Sequence, residues 1–61
     1  MENRVWTIIQ HSGQHMVIEC GSERKDIKRP SDPAARKIFN SLQPGQSVDD
    51  ATLVHFLGVK L

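Results

Sequence analysis

The sequence predicts an α+β fold: an N-terminal antiparallel β-hairpin, with room for a short third strand, packed against two C-terminal α-helices. Three observations lead there. Residues 5–9 and 16–18 are β-branched, aromatic or otherwise apolar, and they flank a polar segment centred on Ser12-Gly13. Asp32-Pro33 and, later, Ser47 with Asp49 and Asp50 are residue types that open helices. A Pro44-Gly45 pair separates the two helical segments. The 61 residues are read as a single small domain, 1–61.

The hairpin comes first. If Ser12-Gly13 is a two-residue turn, Gln10 faces His15, Ile9 faces Met16, Thr7 faces Ile18 and Val5 faces Cys20. Side chains alternate along a strand. One face then carries Val5, Thr7, Ile9, Met16, Ile18 and Cys20, and the other carries Trp6, Ile8, Val17 and Glu19. Both faces are substantially apolar in this register, whereas a sheet buried on one side normally shows polar residues on the other. A loop with an odd residue count shifts the register and regroups the faces.

Residues 23–30 are highly charged, with Ile27 the sole large apolar residue, and read as a connector with a short edge strand around 25–28. Charged side chains and a closing proline are how sheet edges avoid stray pairing. A helix follows from Pro33 through Leu42, capped by Asp32. Ala34, Ala35, Ile38, Phe39 and Leu42 share its apolar face, and Pro44-Gly45 stops it.

The second helix is expected over residues 48–57, with Ser47 as the cap, Asp49 and Asp50 in the first turn, and Gly58 as the stop. Ala51, Leu53, Val54 and Leu57 form its apolar face. Phe56 falls off that face, so contact on more than one side is expected. Residues 53–61 also fit a strand, because short apolar runs are not separated by periodicity; the capping pattern favours the helix. Residues 59–61 are expected to add a short extended tail to the sheet.

Composition narrows the function. Eight basic residues stand against seven acidic ones, so net charge gives no reason to invoke nucleic acid or a membrane. A lone cysteine excludes an intrachain disulfide. With no apolar leader, it predicts a reducing, cytoplasmic setting. No apolar run approaches the roughly 18 residues of a membrane span. A chain this short, without a covalent staple, gains stability from packing or association.

Catalytic and metal constellations are weak. His11 and His15 flank the hairpin loop and Cys20 is nearby, but two histidines and one cysteine fall short of the four ligands of a structural zinc site. Cys20 on a core face behaves as a small hydrophobe. The four glycines are scattered, at 13, 21, 45 and 58, and build no phosphate loop. No enzymatic activity, metal or cofactor is expected.

Two binding readings remain. The first is a non-enzymatic adaptor acting by protein–protein contact, as a homo-oligomer or with a larger partner. Its contact patch would be Trp6, Ile8 and Val17, on the hairpin face that two short helices leave open. The second is nucleic-acid binding through Arg24, Lys25, Lys28, Arg29, Arg36 and Lys37. These are six of the eight basic residues within a fourteen-residue span. Asp26 and Asp32 lie inside that span, and charge runs are most often solvated faces.

Overall fold

The structure, a computed structural model, describes residues 3–61. Its elements in chain order are β1 (Val5–His11), β2 (His15–Cys20), β3 (Glu23–Lys28), α1 (Pro33–Ser41), β4 (Ser47–Asp49) and α2 (Asp50–His55). The strands form one antiparallel sheet in the order β3-β2-β1-β4. The α+β class and the hairpin are as expected. The arrangement differs, because α1 lies between strands in the chain and carries it from one sheet edge to the other.

The hairpin register departs from the symmetric one. Near the loop His11 pairs with Met16 and Gln10 with Val17; beyond Ile9, Ile8 pairs with Ile18 and Thr7 with Glu19. Ile9 is the extra residue of a β-bulge, left without a partner on β2. The shift regroups the faces. Trp6 and Ile8 now lie on the side of Met16 and Ile18, and all four are fully buried. Val5, Thr7, Gln10, Val17 and Glu19 take the other side.

The remaining strands follow from this register. Cys20 and Glu23 pair across a two-residue loop whose first position, Gly21, has φ +62°. That suits a type II′ turn, which matches strand twist and calls for glycine there. β3 is longer than the expected 25–28 stretch. Pairing with Met16 turns Ile27 toward the core, while Arg24, Asp26 and Lys28 lie across from Glu19, Val17 and His15 on the outer face. As the sheet edge, β3 is protected by these charges.

α1 begins as expected. Asp32 Oδ2 accepts from the Ala35 N–H at 3.0 Å, and Pro33 occupies the first turn. Ala35 and Phe39 are buried, Ile38 and Leu42 pack at the core margin, and Ala34 is exposed.

The segment after the Pro-Gly turn corrects the expected 48–57 helix. The turn is tied to β1 by Gly45 N–H to the Ile8 carbonyl at 2.7 Å and Ile8 N–H to the Gln46 carbonyl at 2.8 Å. With the chain held there, Ser47–Asp49 extends along β1, and Val48 pairs with Trp6 in the core. The helix cap moves from Ser47 to Asp49, whose Oδ1 accepts from the Thr52 N–H at 2.9 Å. α2 is thus only six residues long. Residues 53–61 form no strand. Val59 N–H returns to the Leu53 carbonyl at 2.9 Å, laying the tail back over the helix.

The core is therefore one-sided. Trp6, Ile8, Met16, Ile18, Ile27 and Val48 from the sheet meet Phe39 from α1 and Leu53 and Leu57 from the α2 segment. His11 closes the loop end. Its Nδ1 accepts from the Gly13 N–H at 3.1 Å, which leaves Nε2 to donate to the Phe39 carbonyl at 3.0 Å. Its ring centroid lies 4.6 Å from that of Phe39.

The bulge gives a sharp expectation. Deleting Ile9 removes the unpaired residue and leaves every other β1 residue on its present face, so the chain folds with the Ile8–Ile18 and His11–Met16 contacts intact. Deleting Thr7 moves Trp6 to the outer face and unfolds the chain. Cross-strand nuclear Overhauser effects and tryptophan emission distinguish the two. An unfolded Ile9 deletion, or a folded Thr7 deletion, would contradict this register.

Candidate functional site

The expected contact patch is not a surface. Trp6 and Ile8 are fully buried under the helices, and Val17 is half-buried on the opposite side of the sheet. The bulge at Ile9 is the physical reason, since it brings Trp6 and Ile8 to the side of Met16 and Ile18. The outer face is mixed rather than oily. Ser47, Thr7, Glu19 and Arg24 line up across it, and the Arg24 guanidinium is 3.0 Å from Glu19 Oε2. Val5 and Ile9 are its exposed large apolar side chains.

Burying Trp6 demands an acceptor for its indole N–H. Asp50 supplies one: Trp6 Nε1 donates to Asp50 Oδ1 at 2.6 Å, and Arg4 N–H donates to Oδ2 at 3.0 Å. The Arg4 guanidinium lies 4.9 Å over the indole ring and reaches Glu23 Oε1 at 2.9 Å. Asn3 joins the same network, donating to Asp49 Oδ2 at 3.2 Å and accepting from the Ala51 N–H at 3.1 Å. This cluster fastens the start of β1 to the start of α2.

The cluster shifts two carboxyls. Hydrogen bonds from Thr52, then from Asn3, hold the Asp49 carboxyl at about 2 against an ordinary 3.8. The Trp6 indole, then the Arg4 backbone N–H and the Arg4 charge, hold Asp50 below its usual value.

The six basic residues are spread over β3, its connector and α1. Arg24 and Lys28 lie on the outer face of β3 with Asp26 between them, and Lys25 is turned to the other side beside Glu23. Arg36 is folded onto its own connector, with Nε 3.3 Å from the Pro30 carbonyl and Nη2 3.4 Å from the Ser31 carbonyl. Arg29 and Lys37 are exposed.

The three expected metal or catalytic suspects are dispersed. His11 is bonded into the core margin, and His15 Nδ1 lies 3.2 Å from Asp26 Oδ1 on the outer face. Cys20 is half-buried beside the core. Among the described residues, no three His, Cys, Asp or Glu side chains come together in a metal-binding group. No helix of the described residues is long and apolar enough to cross a membrane.

What the structure does build is a shallow cleft between α2 and the tail. Ala51, Val54, Val59 and Leu61 supply its apolar lining, and Asn3, Arg4, Asp50, His55 and Lys60 its polar rim. Val54 is 44% exposed and Leu61 46% exposed, so this lining faces solvent. Phe56, 58% exposed, stands at the neighbouring depression between α2 and the β3–α1 connector. The sequence places Val54 on the core face of a longer helix. Starting α2 at Asp50 leaves room for only Leu53 and Leu57 in the core, and Val54 turns outward. Phe56, off the apolar face, is a sequence signal for the neighbouring depression only.

No protein-family model matches the chain, and comparison with curated proteins and with solved structures returned no match.

The depressed carboxyls set an acid limit. The folded state binds Asp49 and Asp50 protons less readily than the unfolded chain does. The stability they contribute is therefore complete above the ordinary value of 3.8 and drains away as pH falls from there toward 2. Thermal midpoints are expected to drop between about pH 4 and about pH 2. Asp49→Asn keeps a capping side chain but loses the titration, so its drop is smaller. Parallel curves for parent and variant would contradict this assignment.

Proposed function

We propose that this protein is a non-enzymatic binding module that acts through contact with another protein, and that the contact surface is the α2–tail cleft. The observation that carries the reading is the apolar lining of that cleft, with Ala51, Val54 and Leu61 exposed and Val59 half-buried beneath them. A concave apolar floor with a polar rim is the form that anchors a partner's side chain. On the outer sheet face the exposed apolar side chains, Val5 and Ile9, stand among polar and charged ones. That face has the Arg24–Glu19 ion pair and the His15–Asp26 contact across it, and the β3 edge carries charges that discourage strand addition.

The nucleic-acid reading has less behind it. Phosphate binding draws on several free cations along one path, whereas Arg24 is paired with Glu19, Arg36 is turned onto its connector and Asp26 interrupts the strip.

Val54→Gln is the direct test. The position is an exposed one near the helix end, and glutamine is at least as good a helix former as valine. The cost in stability is expected within about 0.5 kcal/mol. In affinity capture from the source cell, with nuclease present, the parent retains a protein that Val54→Gln loses and Ile9→Gln keeps. Sedimentation of the purified chains shows whether that protein is a second copy. Retention unaffected by Val54→Gln, or abolished by nuclease, would overturn the proposal.

A further inference from the structure

Charge around the α2–tail cleft is uneven, and the unevenness selects a ligand. Arg4 and Lys60 place two cations on its rim, and Asp50 is the rim's carboxylate. That carboxylate is already engaged. Its Oδ1 holds the Trp6 indole N–H at 2.6 Å, and its Oδ2 holds the Arg4 backbone N–H at 3.0 Å with Arg4 Nε at 3.5 Å. A cation brought by a ligand would have to compete with the bond that satisfies a fully buried tryptophan. Lys60, by contrast, has no carboxylate within ion-pair distance among the described residues, and its ammonium is exposed. Arg4 spends Nη1 on Glu23 and Nε on Asp50, and its Nη2 has no hydrogen-bond partner among the described residues. The cleft thus offers an unpaired cation, Lys60, and the unused Nη2 of Arg4 beside an apolar floor, while its one acidic side chain, Asp50, is already engaged.

We propose that the cleft takes an extended peptide segment in which an apolar side chain sits on Val54 and Val59 while a neighbouring carboxylate meets Lys60 and Arg4. This rests on the protein-contact reading above and names the chemistry of the partner. Opposite charges across a rim set orientation and the choice of partner more than bulk affinity. Lys60 is solvated, so each such pair is worth a modest factor that salt weakens.

Nuclear magnetic resonance titration of the whole chain tests it with two capped tetrapeptides. Both carry leucine and phenylalanine in the middle; one is flanked by aspartates and the other by lysines. The acidic peptide is expected to shift the backbone amides of Ala51, Val54, Val59 and Lys60. It should bind about fivefold more tightly than the basic one at low salt, a preference that shrinks in about 0.5 M salt. Lys60→Gln, an exposed change outside the core, narrows the preference without moving the shifted amides. Equal binding of the two peptides, or tighter binding of the basic one, overturns the charge selection while the cleft stands as a contact surface. Shifts confined to the sheet, or none with either peptide at millimolar concentration, overturn both.

Discussion

The bond between the Trp6 indole and Asp50 is the constraint on which the other features depend. Trp6 is the largest side chain in the core and is fully buried, so its N–H needs a partner inside the fold. The partner comes from the first residue of α2, 44 positions later. Satisfying it draws the start of α2 to the start of β1, which puts the residues just before α2 alongside β1. Ser47–Asp49 becomes a strand there because Val48 can pair with Trp6 and enter the same core. Arg4 completes the arrangement by stacking on the indole and bonding the far side of the carboxylate. Local sequence and long-range packing meet at this one pair.

A chain of this size has little stability to lose. Sixty-one residues correspond to roughly 3–9 kcal/mol at ordinary per-residue values, and no disulfide is available. The chain meets that limit with a single-sided core. Two helices of nine and six residues shield one face of the sheet, and the other face is left to Thr7, Gln10, Glu19, Arg24 and Asp26. Pairing on that outer face links Glu19 with Arg24 and His15 with Asp26. The charged run Glu23–Lys28, which holds three of the six clustered basic residues, serves in the fold as a protected sheet edge.

Several elements are legible in the sequence because their determinants are local. The Asp32-Pro33 helix start, the stop at Pro44-Gly45, the hairpin and the charged edge strand all depend on residues within a few positions of one another. Two features are not legible, and both have long-range causes. The bulge at Ile9 follows from the need to put Trp6 and Ile8 on the side of Met16 and Ile18, and no residue near Ile9 announces it. β4 is three residues long, too short for periodicity. It overlies a sequence, Ser47-Val48-Asp49-Asp50, that offers two caps two residues apart, and only the pull of β1 selects Asp49. Both features also shape the candidate site: the bulge takes Trp6 and Ile8 off the surface, and the late helix start takes Val54 out of the core.

The functional reading depends on the same tie. Because Asp50 is held by Trp6 and Arg4, α2 starts late, Val54 turns outward, and the rim's one acidic side chain is already engaged. The most direct measurement is hydrogen exchange at the Trp6 indole N–H in the native chain at neutral pH. Exchange is expected to be slowed to the rate set by global unfolding, as for the most protected amides of β1 and β2. Exchange at the rate of a solvent-exposed indole, with those amides still protected, would contradict it.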